Sequence, residues 1–218
     1  MRARAVAAVL FAAAALATVP PLAAGQDPEP AGTKFHFGVN AARTTILFTS
    51  ETDLETITGV VRAMSGTAHF EFEKGEGVAD LHVQVKDMDT GLPTRNGHLQ
   101  GADWLEADKF PEIVFAAKSL KRTKVDDATK KETWSYEGEL TIHGVTKPLK
   151  GESTVQRVPP EIGKTLGQGD WVKVKTEFPV ALKDFGIKVP ERSVAKVQPT
   201  WTVKVDIFGT TVVPEPKK

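Results

Sequence analysis

Apolar and polar residues alternate with period two through most of this chain, a rhythm that suits a β-sheet with one dry face and one wet face. Ala68, Phe70 and Phe72 share one phase while His69, Glu71 and Glu73 share the other. Gly75-Glu76-Gly77 turns the chain, and Leu81, Val83 and Val85 then alternate with Asp80, His82, Gln84 and Lys86. The pattern returns in Trp134, Tyr136, Gly138, Leu140 and Ile142, and again in Trp201, Val203, Val205 and Ile207. Further strands are expected over residues 34–40, 44–49, 57–63, 113–120, 146–157 and 171–182. Eight to ten strands joined mostly by short turns make an all-β antiparallel sandwich or closed barrel, and alternation alone does not choose between them. Two stretches interrupt the rhythm. Within 95–110, residues 101–108 read as a short helix capped by Asp103, and 159–169, rich in Pro and Gly, reads as a surface loop or rim flap.

The ends have a different composition. Met1-Arg2-Ala3-Arg4, an apolar run from Ala5 to Val19 and a small-residue exit through Ala24-Gly25 read as a signal peptide, 1–25, removed in the mature protein. A leader (26–33) and a tail (211–218), both containing proline, flank a single domain over 34–210. The expected location is periplasmic or secreted. There is no cysteine, so the fold rests on its own core without disulfides or a lipoprotein cysteine. Losing Arg2 and Arg4 with the leader peptide leaves 26 basic residues against 28 acidic, a balance that argues against nucleic acid as a partner. No other long apolar run exists, so stable membrane insertion is not expected. The sequence leaves a homodimer open.

No catalytic signature stands out. The serines lack a G-x-S-x-G context, and Gly75-Glu76-Gly77 and Gly167-Gln168-Gly169 do not lead into helices as a phosphate cradle does. His36, His69 and His82 occupy polar phases and read as outer-face residues, with His69 and His82 as candidate cross-strand neighbours. No pair has a metal-site spacing, so neither a metal nor a cofactor is expected. His143-Gly144 followed by Val145-Thr146-Lys147-Pro148 reads as hairpin-turn chemistry.

Several blocks fall in a telling order: Asp89-Thr90-Gly91, Arg95 with His98-Leu99, Lys109-Phe110-Pro111-Glu112-Ile113 with Phe115, Leu140 through Pro148, and Lys183-Asp184-Phe185-Gly186-Ile187. Together they resemble the YceI-like family of bacterial envelope proteins. The resemblance implies an extended lipocalin-like antiparallel barrel of about eight strands, with a helical excursion near 95–109 and an interior that takes polyisoprenoid lipid. Two segments depart from the family pattern, 43–58 and 190–196, and Arg95-Asn96 stands where an Arg-Asp pair is usual. Ligand choice is expected to differ if these segments border the mouth.

The ligand-contact candidates are then the dry face: Phe35, Phe37, Phe48, Phe70, Phe72, Leu81, Val83, Phe115, Leu140, Ile142, Trp201 and Val203, with Phe208 as a further inward aromatic. Arg95 and His98 are the polar candidates at the mouth, Arg95 either meeting a head group or pairing outward with Asp89 or Asp103. An apolar pocket suffices for affinity, because each buried methylene contributes ~0.8 kcal/mol. The expected function is a non-catalytic carrier of an isoprenoid or other amphipathic lipid. The alternatives are an envelope stress or interaction protein using the barrel as a scaffold, and an enzyme built at the rim from His98, Arg95 and a carboxylate.

Overall fold

The computed structural model describes residues 29–39 and 43–213. The expected signal peptide, leader residues 26–28 and tail residues 214–218 lie outside the described residues.

Ten strands follow one another: β1 (Thr33–Phe37), β2 (Thr45–Glu51), β3 (Thr56–Val61), β4 (Ser65–Glu71), β5 (Glu76–Gln84), β6 (Glu112–Val125), β7 (Glu132–Ile142), β8 (Val145–Arg157), β9 (Trp171–Ala181) and β10 (Thr200–Thr210). All pairings are antiparallel, and the ten form eight lanes. Strands β1 and β2 lie end to end along one edge of β10, Phe37 opposite Gly209 and Thr45 opposite Asp206. β3 and β4 share the next lane, β3 paired with β2 and β4 with β1. From β4 the sheet runs through β5, β6, β7, β8 and β9 to β10, which closes the ring. The result is a closed eight-stranded antiparallel barrel, which removes the exposed edges of an open sheet. Register shifts in the β5–β6 and β6–β7 pairings interrupt the ladders where the wall bends.

One joint in the ring is half open. β8 and β9 pair only from Ser153–Arg157 against Val172–Thr176, and towards the mouth no ladder joins them. Each strand carries a proline in that unpaired stretch, Pro148 and Pro179, residues without an N–H to give to a ladder.

The loops at the two ends differ. At the mouth lie the β2–β3 turn, the long β5–β6 excursion, the tight β7–β8 turn and the β9–β10 connection; the β4–β5 and β6–β7 turns, the leader and the 158–170 loop close the floor. The excursion contains helix α1 (Pro93–Gln100), and the 158–170 loop contains the single-turn α2 (Pro160–Gly163). The helix therefore lies eight residues before the expected 101–108 segment. Pro93 at its first turn has the fixed φ suited to a helix start, whereas residues 101–109 form successive turns. Asp103 caps nothing and pairs with Arg192 at 2.6 Å.

The buried residues form two clusters. The mouth cluster joins Phe48, Leu140, Ile142, Val180 and Trp201 to Leu99, Trp104 and Leu105 of the excursion and to Leu182, Phe185 and Ile187 after β9. The floor cluster is Phe35, Phe37, Phe70, Trp134, Tyr136, Val155, Val172 and Ile207 among others. A space remains between them.

Candidate functional site

The space inside the barrel is a cavity of about 180 Å³ lined by 28 residues from every lane of the wall. Of the side chains on that lining, only Tyr136, Ser153, Thr176 and the Trp134 indole carry a polar hydrogen. Nine of the twelve residues expected on the dry face border it: Phe37, Phe48, Phe70, Leu81, Val83, Phe115, Leu140, Ile142 and Val203.

The other three stand elsewhere. Phe35 is buried in the floor, edge-on to Phe70 and Phe72 with centroids 6.0 and 6.2 Å away. Phe72 stacks on Phe70 at 5.4 Å, just past the end of β4, beneath the Arg157 guanidinium at 4.8 Å. Trp201 sits at the neck and borders the mouth cleft instead of the cavity. Phe208, also expected inward, is on the outer phase of β10, with Lys173 Nζ 4.7 Å above its ring. Ile207 and the inward Gly209 set that phase; a side chain on Gly209 would meet the Phe37 ring.

The floor is sealed by chemistry that alternation does not reveal. Trp134 is fully buried and donates its indole N–H to Glu132 at 2.9 Å. That carboxylate is itself buried, with nitrogens of Arg122 and Arg157 each 3.7 Å away. Arg122 also donates to the Phe72 carbonyl at 2.7 Å.

At the other end Phe48 is the partition. It borders both the cavity and a mouth cleft of about 420 Å³. Its ring stacks on Trp201 (5.5 Å, 23°), which stacks in turn on Trp104 (6.3 Å, 27°). Gly59 makes room for it, since a Cβ there would lie 1.9 Å from Phe48 Cζ. The cleft is bordered by Ser50, Glu55, Ile57, Leu92, Arg95, His98, Leu99, Ser193, Lys196 and Val197, so both segments that depart from the family pattern reach the mouth.

Arg95 takes neither expected partner. It faces the cleft and pairs with Glu55 at 2.6 Å. Asp89 instead accepts from Asn96 Nδ2 at 2.7 Å and the Gly91 N–H at 2.8 Å, contacts that hold its carboxyl below the usual range. Asn96 Oδ1 in turn accepts from the Thr90 N–H and hydroxyl. Arg95-Asn96 thus divides the work, the arginine turned to the cleft and the asparagine tying helix to strand. His98 is exposed on α1 and also borders the cleft. The Trp201 indole N–H is buried with no partner.

The histidines fall into distinct settings. His143 and Gly144, with φ of 52° and 70°, form the two-residue turn between β7 and β8. The His143 Nδ1 meets the Phe185 carbonyl at 3.2 Å, its ring packs edge-on against Phe110 at 4.6 Å, and Nε2 lies 3.4 Å from Glu106. Three of the sequence blocks noted above therefore meet at this one ring. His69 is buried with Nδ1 unpartnered, not on the open outer face that its phase suggests. The leader crosses there, Gly32 lying against the backbone of Phe70. His69 and His82 are not neighbours: His69 is opposite Val78, and His82 is opposite Ser65. Among the described residues no three His, Asp or Glu side chains converge as metal ligands.

The sequence matches the YceI-like domain family over residues 37–208. This chain belongs to that family. Curated YceI-like relatives include Protein YceI of Escherichia coli O17:K52:H18, 32% identical over 140 residues that make up 60% of this chain and 63% of the relative. A UPF0312 protein of Pseudomonas savastanoi is 31% identical over 142 residues, 62% of this chain and 65% of that one. The chain thus spans slightly less than two thirds of the relatives' length. Among solved structures, Burkholderia cenocepacia BcnA aligns with TM-score 0.62 and 18% identity, covering 78% of this chain and 99% of BcnA. A polyisoprenoid binding domain from Saccharophagus degradans aligns with TM-score 0.61 and 17% identity, covering 83% and 99%. Both share the YceI-like barrel.

The residues that sequence reading passed over are mainly polar ones placed on the dry face. Ser153 and Thr176 occupy inward phases beside Val155, Val174 and Phe178, and that break in an apolar phase was the available signal. Trp134 and Tyr136 were visible in the alternation, but Thr176 beside Tyr136 and the two arginines beside the Trp134 acceptor Glu132 come from other strands.

Proposed function

We propose that this protein is a periplasmic or secreted, non-catalytic carrier that holds an isoprenoid or similar amphipathic lipid inside its barrel. The observation that carries the reading is the cavity between the two core clusters, apolar apart from four polar side chains. Well-packed interiors leave few voids larger than a water molecule, and an engineered apolar cavity of ~150 Å³ stays dry and takes up benzene. A ligand larger than the cavity leaves it past Phe48 into the mouth cleft, where Arg95 and His98 border its protruding part. The Saccharophagus degradans neighbour, described as a polyisoprenoid binding domain, supports the same ligand class. The non-catalytic reading is supported by how the mouth groups are spent: Arg95 on Glu55, Asn96 on Asp89, and Arg192 on Asp103.

Isolation from the native envelope under mild conditions, organic extraction and mass spectrometry test the proposal. Recovery of a stoichiometric lipid is the expected result. Protein that yields no lipid and takes up no lipophilic fluorophore overturns it.

A further inference from the structure

The lining of the cavity has a chemical polarity of its own. Its three hydroxyls are clustered: Ser153 and Thr176 are directly opposed where the β8–β9 ladder begins, and the Tyr136 hydroxyl lies 3.3 Å from Thr176 Oγ1. Gly151 makes the space for that phenol, since a Cβ there would lie 2.4 Å from its oxygen.

Every side-chain hydrogen in this group is already committed. Thr176 donates to the Glu152 carbonyl at 2.8 Å, so the Tyr136 hydroxyl is the donor in its contact with Thr176. Ser153 donates to the Trp134 carbonyl at 3.3 Å, and the Trp134 indole N–H goes to Glu132. Burial raises the Tyr136 pKa, which keeps the phenol protonated and its donation intact. What remains is oxygen lone pairs, each hydroxyl having two.

We infer that the cavity contains a hydrogen-accepting station, Tyr136–Thr176–Ser153, that selects lipids bearing a hydroxyl or amide N–H and holds that group inside the barrel. This rests on the lipid-carrier reading and adds a ligand class and an orientation. The physical reason is the cost of burying an unpaired donor: elsewhere on this lining a ligand O–H meets carbon or the weakly accepting sulfurs of Met64 and Met88, and here it meets oxygen acceptors. A ligand oxygen that only accepts gains nothing at the station.

Three probes of one ten-carbon skeleton separate the terms: geraniol, which donates; its methyl ether, which only accepts; and the hydrocarbon myrcene. Binding is read by displacement of a lipophilic fluorophore from the full-length mature protein. The expected order is geraniol tightest by about tenfold, with ether and hydrocarbon similar. Tyr136→Phe, Ser153→Ala and Thr176→Val together remove every acceptor of the station and reduce the geraniol advantage to threefold or less while myrcene is unchanged; Ser153→Ala alone, a smaller change, keeps part of it. Equal binding of geraniol and its ether overturns the inference, as does an advantage that survives the three substitutions. An advantage lost instead in Trp201→Phe places the hydroxyl at the mouth and also overturns it. If myrcene binds but no preference exists, the carrier reading stands alone. If none of the three binds, both fall.

Discussion

Replacing Phe48 by alanine tests whether one ring both completes the core and divides the barrel interior from its mouth. Phe48 is 5% exposed and stacks on Trp201. Burying a phenylalanine and then deleting it to alanine costs about 3–5 kcal/mol, and an aromatic pair contributes ~0.5–1.5 kcal/mol of interaction beyond area. Two sides of this ring already face open space, the cavity and the cleft, so it makes fewer contacts than a fully packed ring. The expected loss is therefore at the lower end, about 3 kcal/mol, or a fall in Tm of roughly 6–12 °C for a domain of this size. The substitution also joins the 180 Å³ cavity to the 420 Å³ cleft. Thermal unfolding followed by near-ultraviolet circular dichroism gives the first quantity, and titration with a lipophilic fluorophore at 20 °C, where the variant stays folded, gives the second. Tighter binding or acceptance of longer tails is expected alongside lower stability. An unchanged Tm refutes the packing argument; lower stability with unaltered ligand range refutes the role of Phe48 as a partition.

Gly59→Ala places a methyl group against the Phe48 ring and is expected to destabilise by about 1–3 kcal/mol on its own but much less in the Phe48→Ala background, a non-additivity that urea denaturation of the four proteins measures. Glu132→Leu leaves the Trp134 N–H without its acceptor and two arginines without their carboxylate, and is expected to cost about 3 kcal/mol; Glu132→Gln keeps an acceptor and should cost less by the same assay. Arg95→Ala removes a half-exposed ion pair, so a change below about 1 kcal/mol is expected, and a larger loss in chemical denaturation contradicts that reading. Burial opposes the charged form of His82, but Asp80 at 3.2 Å and Glu112 at 3.4 Å outweigh it and raise its pKa above 6.5. The stabilisation from these pairs is therefore complete below the unfolded value and lost as pH rises through the folded one. The difference in urea midpoint between the native protein and His82→Gln should shrink over that window; a difference independent of pH argues against the pairs.

Much of the barrel was legible because a strand with one dry face writes its orientation into every second residue. The nine dry-face residues that border the cavity illustrate this, as does the His143-Gly144 turn, where local conformational preference and strand pairing agree. Phase fixes the face of the wall but not height along the barrel, which is why Phe35 and Phe72 fall in the floor and Trp201 at the neck. Phase also says nothing of what covers an outer face, so His69 was expected in solvent and is buried where the leader crosses. The helix was misplaced because Pro93 outweighed the cap that Asp103 offered, and Asp103 was drawn to Arg192, a residue 89 positions away.

The sequence by itself determined an all-β chain of short antiparallel strands, the faces those strands bury and, through ordered blocks, its family. These are local properties, set by alternation and turn chemistry. Only the tertiary structure decided that ten strands close into eight lanes, that Arg95 turns to Glu55, and that three hydroxyls from three strands meet in an apolar cavity. Each of those depends on contacts between separate elements, as when Tyr136 on β7 reaches across β8 to Thr176 on β9, 40 residues along the chain.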